Sequence, residues 1–369
     1  MNYSVMDQYW IWLSSVEGIG AKRFYALMSV YEDARAVWDA LEGDACPEEM
    51  KPLGRAVYAS LKKCRSERYF YSLFDALDRK GVRAVSRLSD DYPSQLTGIV
   101  DPPPTLYVRG ECPLDLPRMF AIIGSRRCTM DGQRAAKEFA EALAREDVAV
   151  VSGLARGIDS CAHRGAQNGK GRTLAVLGCG PDVVYPPENE GLMREILENG
   201  GAVVSEFTPG TKPLPGNFPL RNRIISGLCA GTLLVEGAEK SGAMITVNCA
   251  LEQGRDVFAV PGSIYSPLSA TPNRMIVDGA IPAISPWEIL EYYRWASRPE
   301  KPAEDRIDRA GLSPEELTLV EPLREQALTF DELAILSGFS ASKLNSHLTM
   351  LELRGIIVKV PGGMYRAYL

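Results

Sequence analysis

Apolar residues recur along this chain at two different periods. At residues 9–13, 24–31, 56–61 and 69–77 they return at helical spacing, broken at Gly43, Pro47 and Pro52, which predicts a small helical domain over residues 1–80. From Met119 the pattern changes to short apolar runs, MFAIIGS, VAVVSG, RTLAVLG, AVVSE, GTLLVEG and DVFAVPG, each followed by a helical stretch. Runs rich in Val and Ile without polar alternation suit parallel strands covered on both faces. Residues 81–296 are therefore expected to form an α/β domain with a doubly wound sheet. Ligands of such sheets bind beyond the carboxyl ends of the strands, so the residues that follow each run are the ones to inspect.

Residues 297–312 are charged, carry two prolines and lack apolar periodicity, which predicts an exposed linker. Residues 313–369 give three helical patterns and then two short strands around Pro361, Gly362 and Gly363, the order of a winged helix-turn-helix. Thr329 is expected to cap the second of these helices, with Glu332 completing a capping box.

Length and composition narrow the class. A chain of 369 residues exceeds what one core usually holds, which favours two or three domains. Hydrophobic residues at 46% and charged residues at 24% exclude a disordered or fibrous protein. The eight cysteines are dispersed, form no CxxC pair and have only His163 and His347 as company, so neither a metal site nor a disulfide framework is expected, and no cofactor is called for. No apolar run approaches the roughly 20 residues of a membrane helix, and the first residues lack a basic start, so a cytoplasmic protein is expected. Net charge is −6, so any claim on nucleic acid must rest on where individual arginines stand.

Several strand ends carry such residues. Gly124, Ser125 and Arg126 close the first run and precede a helix starting near Asp131, an arrangement suited to a phosphate. Ser152, Gly153, Arg156 and Gly157 repeat it after the second run, and two neighbouring anion sites suggest a polyanion. Asp159 is placed to cap the next helix, and His163, one turn on, reads as a packed helix residue. The segment FPLRNRIISGL puts Arg221, Asn222 and Arg223 at a helix start beside Phe218. An aromatic among arginines is how sequence-tolerant single-strand binders work, although Phe218 in a core and arginines in surface ion pairs would give the same spacing. Lys240, Ser241 and Gly242 open a further helix. Neither GxxxxGK[ST] nor GxGxxG occurs, which removes support for ATP hydrolysis and hydride transfer. Glu206 and Glu236 end strands and can act as acids or bases, but such carboxylates often cap a helix or pair with arginine instead. Near the N-terminus, VEGIGAKRFYALM has the spacing of a helix-hairpin-helix, whose amides can meet a phosphate or simply form a tight turn.

The ordered motifs GSR, SGLARGID, VLGCGPDVVYPPEN, FPLRNRIISGL, KSGAMITVNCALEQGR and FAVPG together resemble the DNA-processing protein A (DprA/Smf) family. The likeness covers the central domain, extends upstream through DYPSQLTGIVDPPPTLYVRGE, and matches a layout with a SAM-like helical domain before it and a winged helix after it. It implies an extended Rossmann-like domain that binds single-stranded DNA, dimerises, and loads RecA recombinase onto incoming strands in natural transformation, without catalysis. Carried over by position, the DNA pocket would hold Arg126, the SGLARGID loop, residues 218–223 and Lys240. The chain departs from the family at Asp131, where an aromatic is usual, and at Thr271, where glycine is usual. Two rivals use the same phosphate sites. One is a phosphoribohydrolase-like enzyme, whose PGGxGTxxE signature is incomplete around Gly231, Thr232 and Glu236, and the other is a nucleotide-sensing regulator. The segment SASKLNSHLTMLE carries few basic residues for reading duplex DNA, which leaves the winged helix open to DNA or protein contact.

Overall fold

The computed structural model describes residues 3–43, 45–238, 241–298, 312–360 and 362–367. Most of the expected linker, together with Lys240 and Pro361, lies outside these residues. The chain divides into two compact units, Met1–Ser297 and Arg298–Leu369.

The first unit begins with helices α1 (Val5–Ser15), α2 (Ala21–Met28), α3 (Ala34–Ala40), α4 (Arg55–Cys64) and α5 (Glu67–Arg79). Ser4, Asp33 and Ser66 cap three of them through their side chains, as short polar residues at helix starts do. An apolar cluster around Trp12, Phe24, Leu41 and Leu61 holds the helices together. These helices are continuous with the sheet that follows. Ile11, Leu73 and Leu77 share a buried cluster with Val82, Ala84 and Tyr107, and Trp10 donates its indole N–H to the Pro104 carbonyl at 2.7 Å.

Next come β1 (Arg83–Ser86), β2 (Thr105–Arg109), β3 (Met119–Ile123), α6 (Met130–Arg145), β4 (Ala149–Ser152), α7 (Ile158–Asn168) and β5 (Thr173–Leu177). Then follow α8 (Glu190–Glu198), β6 (Ala202–Ser205), α9 (Asn217–Gly227), β7 (Gly231–Leu234), α10 (Ala243–Glu252), β8 (Asp256–Ala259), α11 (Ala270–Val277), β9 (Ile281–Pro282) and α12 (Trp287–Tyr292). The sheet order is β1-β2-β6-β5-β4-β3-β7-β8-β9. Strands β3 to β9 pair in parallel, whereas β1 and β2 add an antiparallel edge through β6. The six apolar runs of the sequence are the six strands β3 to β8, and β3, β4 and β5 are buried at every residue, as layers of helix on both faces require. The chain moves outward from β3 through β6 and then returns to place β7 on the other side of β3. That reversal opens a crevice at the carboxyl ends of β3 and β7.

The second unit holds α13 (Pro314–Glu325), β10 (Leu328–Thr329), α14 (Phe330–Ser337), α15 (Ala341–Leu353), β11 (Ile357–Val360) and β12 (Met364–Ala367). Its antiparallel sheet runs β10-β12-β11 and closes over Leu319, Leu323, Leu344, Leu348 and Ile357. Thr329 and Glu332 form the capping box the sequence predicts, and Ser313 and Glu316 form another. This is a winged helix.

Candidate nucleic-acid cleft

A cleft of about 670 Å³ opens at the crevice between β3 and β7. Its lining includes Gly124, Ser125, Arg126 and Arg127 after β3, Phe218, Arg221 and Asn222 of α9, and Ser241 and Gly242 ahead of α10. A smaller recess beside it is lined by Arg126, Gly153, Arg156, Tyr185, Phe218 and Arg221. Five distant segments thus meet where the sheet topology predicts a ligand.

The loop after β3 is pinned by backbone. Ser125 N donates to the Glu236 carbonyl at 2.8 Å, and Ile158 N donates to the Ser125 carbonyl at 3.2 Å. Gly157 has φ +75°, and a Cβ there would strike the Ser125 carbonyl, so only glycine lets the second loop approach the first. Pinned in this way, Arg126 and Arg127 project into solvent. The Arg126 guanidinium lies over the Phe218 ring, 5.8 Å from its centroid, and Tyr185 packs beside Phe218 with centroids 5.3 Å apart. Arg156 is also exposed and pairs with Glu188. The cleft therefore presents cations and aromatic faces side by side. Asp159 is the acidic member of the described lining residues, and its carboxylate is occupied by backbone.

Arg221 plays a different part from a surface phosphate clasp. It is 4% exposed, and its guanidinium donates to the Gly153 carbonyl at 2.8 Å and to the Val176 carbonyl. Burial pulls its pKa down to about 10, against the favourable field of Asp159, and it stays protonated at neutral pH. Asp159 does not cap its own helix; it accepts from Gly153 N at 3.2 Å and Ala155 N at 3.3 Å, one residue either side of Leu154, which has φ +54°. Its pKa is raised by burial, with Arg221 and the two amides opposing the rise. A Cβ on Gly153 would lie 2.7 Å from the Arg221 guanidinium, so the SGLARG loop is built around that side chain. Arg221 thus supports the cleft floor from beneath.

Arg223 points away from the cleft. It pairs with Glu206 at 2.7 Å and donates to the Asp101 carbonyl at 3.0 Å. Asn222 bridges α9 to the start of α10 through the Gly242 carbonyl at 3.4 Å. Ser152 is buried and donates to the Ile122 carbonyl, which ties β4 to β3. Ser241 lines the cleft, but its hydroxyl is buried and has no partner among the described residues.

The groups with acid-base potential are spent on structure. Glu236 accepts from Thr129 N at 2.9 Å and from Thr129 Oγ1 at 2.5 Å, and Thr129 caps α6. Glu206 is held by Arg223. His163 is fully buried with Nδ1 2.7 Å from Thr173 Oγ1, and burial first, then Arg221, lowers its pKa to about 3. Among the described residues no group of histidine, cysteine and carboxylate side chains is arranged to hold a metal ion. Nor is any described helix long and apolar enough to cross a membrane. Arg127 and Tyr185 are cleft residues that position-by-position reading missed. The signal for Arg127 was a second arginine directly after GSR, and for Tyr185 an aromatic ahead of Pro186 and Pro187, on the loop that leaves β5 at the carboxyl edge.

In the second unit, side chains on α15 and just after it pair with the carboxylates at the start of α13. Lys343 and His347 meet Glu315 at 2.6 and 3.3 Å, and Arg354 meets Glu316 at 2.8 Å.

Fold and cleft define an extended Rossmann-like protein carrying a winged helix. Residues 83–294 match the family model described as DNA recombination-mediator protein A, and residues 299–363 match the DprA winged helix domain. The chain belongs to the DNA recombination-mediator protein A family. It is 41% identical over 285 residues to Protein Smf of Escherichia coli K12, covering 75% of each chain. It is 40% identical over 245 residues to DNA processing protein DprA of Streptococcus pneumoniae, covering 64% of this chain and 86% of the relative. The X-ray structure of DprA from Streptococcus pneumoniae superposes with a TM-score of 0.66 at 32% identity, covering 79% of this chain and 98% of that one. A structure of DNA processing protein A from Helicobacter pylori, which concerns that protein's single-stranded DNA binding mode, gives a TM-score of 0.52 at 26% identity over 58% of this chain and 95% of that one.

Proposed function

We propose that this chain binds single-stranded DNA in the cleft without reading its sequence, and hands the strand to RecA recombinase during natural transformation. The observation that carries the reading is Arg126 lying over Phe218, with Tyr185 beside it and Arg127 and Arg156 exposed nearby. Phosphates pair with the arginines while bases stack on the aromatic faces, and every base has such a face. Ser241, Gly242 and Lys240 would complete the phosphate path at the start of α10, with Gly124, Ser125, Gly153 and Gly157 shaping the opposite wall. Arg221 and Asn222 hold these elements in place, and Arg223 anchors α9 from behind.

A non-catalytic role is supported by Glu236 and Glu206, whose carboxylates are committed to Thr129 and Arg223. Membership of a recombination-mediator family supports the hand-over to RecA in the cytoplasm. We also propose a homodimer, with the exposed Val277 and Ile284 beside the sheet-edge strand β9 as the apolar surface it would bury. Two clefts on one dimer would raise avidity through effective concentration.

The test follows RecA filament formation on oligo-dT with and without the protein. Faster nucleation that disappears with Arg126→Ala, R127A supports the reading. No effect on RecA, together with turnover of AMP, would mean the cleft is a small-nucleotide site.

A further inference from the structure

The loop between β8 and α11 carries an apolar pair that the cleft described above does not use. Ile264 is 81% exposed and Tyr265 is 90% exposed, side by side, on a loop that is otherwise tightly held. The Asn273 amide clamps Gly262 from both sides, accepting from its N–H at 3.0 Å and donating to its carbonyl at 2.9 Å. Ser266 N donates to the Ser263 carbonyl at 3.0 Å, and Tyr265 N to Ser263 Oγ at 3.3 Å. The end of the loop is tied to the cleft itself, because Gly237 N donates to the Leu268 carbonyl at 2.8 Å, and Leu268 and the neighbouring Ala238 both line the cleft. Two residues lie between Leu268 and Tyr265, so three Cα–Cα steps place the tyrosine at most about 11 Å along the chain from the cleft wall.

A solvated, backbone-fixed aromatic at the rim of a cationic cleft is already ordered for contact, so binding to it loses little conformational freedom. We infer that Ile264 and Tyr265 form a second base platform, on which a nucleobase of the strand leaving the Arg126–Phe218 pocket stacks. The inference rests on the single-strand reading above and extends its contact surface across the β8 side of the crevice. The occupant is a base and not a second copy of the chain, because the loop that carries the pair is tied through Leu268 to the arginine-lined cleft and lies at the carboxyl ends of the strands. The platform contributes no charge. It therefore adds affinity without adding salt dependence, unlike the arginines.

The experiment titrates the full chain with fluorescent oligo-dT at two salt concentrations, comparing Tyr265→Ala and Tyr265→Phe with wild type. The inference expects Tyr265→Ala to weaken binding about five- to a hundredfold, with an unchanged salt slope and an unchanged melting temperature, and Tyr265→Phe to bind as wild type does. On an abasic strand of equal length at low salt, wild type and Tyr265→Ala should bind alike. Equal oligo-dT affinity of Tyr265→Ala and wild type overturns the inference while leaving the arginine cleft intact. A loss that persists on the abasic strand, or that comes with a changed sedimentation coefficient, also overturns it and assigns the pair to a contact between copies. Failure of wild type itself to bind oligo-dT removes the single-strand reading and this platform with it.

Discussion

Replacing Arg221 by alanine separates support from contact. In the folded protein its guanidinium fills the carbonyls of Gly153 and Val176 and faces the buried carboxylate of Asp159. Truncation leaves those carbonyls without their donor and the carboxylate without its counter-charge. Removing one partner of a buried charge pair costs about 3–5 kcal/mol, and a domain of this size loses roughly 2–4 °C in melting temperature per kcal/mol. A drop on the order of 10 °C is expected, measured by circular dichroism or calorimetry. Double replacement, Arg221→Met with Asp159→Asn, should recover part of it by removing both charges, the residual cost being the unfilled carbonyls. Arg126→Ala, whose side chain is exposed, should leave the melting temperature within the small range typical of surface changes. A melting temperature for Arg221→Ala equal to wild type, combined with lost DNA binding, would refute this reasoning and return Arg221 to the role of a direct phosphate ligand.

Other expectations follow from the same geometry. Glu236→Ala should destabilise the chain by about 1–3 kcal/mol, because the Thr129 amide and hydroxyl lose their acceptor, and urea unfolding measures this. Were Glu236 a catalytic group, the same variant would instead abolish turnover of a nucleotide. His163 has a folded pKa of about 3 against an ordinary value of 6.5, so the unfolded chain takes up its proton first as pH falls. Its contribution to stability is whole above pH 6.5 and falls by about 1.4 kcal/mol per pH unit below it until the folded pKa is reached. His163→Gln should flatten the stability profile between pH 6.5 and 5 relative to wild type, and an unchanged slope would show that the imidazole is not buried in the neutral form. Arg126→Ala with R127A should lower the salt slope of single-strand binding by about 1.4, since each phosphate contact on a single strand contributes roughly 0.7.

The strands of the parallel sheet were legible because each is covered on both faces and so reads as an unbroken apolar run. The edge was not. β1 and β2 pair antiparallel through β6, and nothing in their four or five residues distinguishes such an edge from a loop. The cleft's position followed from the order of elements, because loops at the carboxyl ends of parallel strands meet at the reversal of strand order. What each arginine does there was harder to read. Arg221 and Arg223 stand two apart on α9, and residues two apart on a helix do not share a face. One therefore turns under the SGLARG loop and the other toward Glu206, while the exposed cations come from the loops that hold Arg126, Arg127 and Arg156. Tyr185 escaped for a related reason. Its partner Phe218 is more than thirty residues away, and only the packing of the β5 and β6 loops brings the two rings together.

Titration of the purified chain with fluorescent oligo-dT and with a duplex of equal length, at two salt concentrations, tests the central claim most directly. The account predicts preference for the single strand, weakening steeply with salt, and loss of most of that affinity in Arg126→Ala with R127A, whose melting temperature stays that of wild type. Equal affinity for duplex and single strand, or binding untouched by the double substitution, would contradict it.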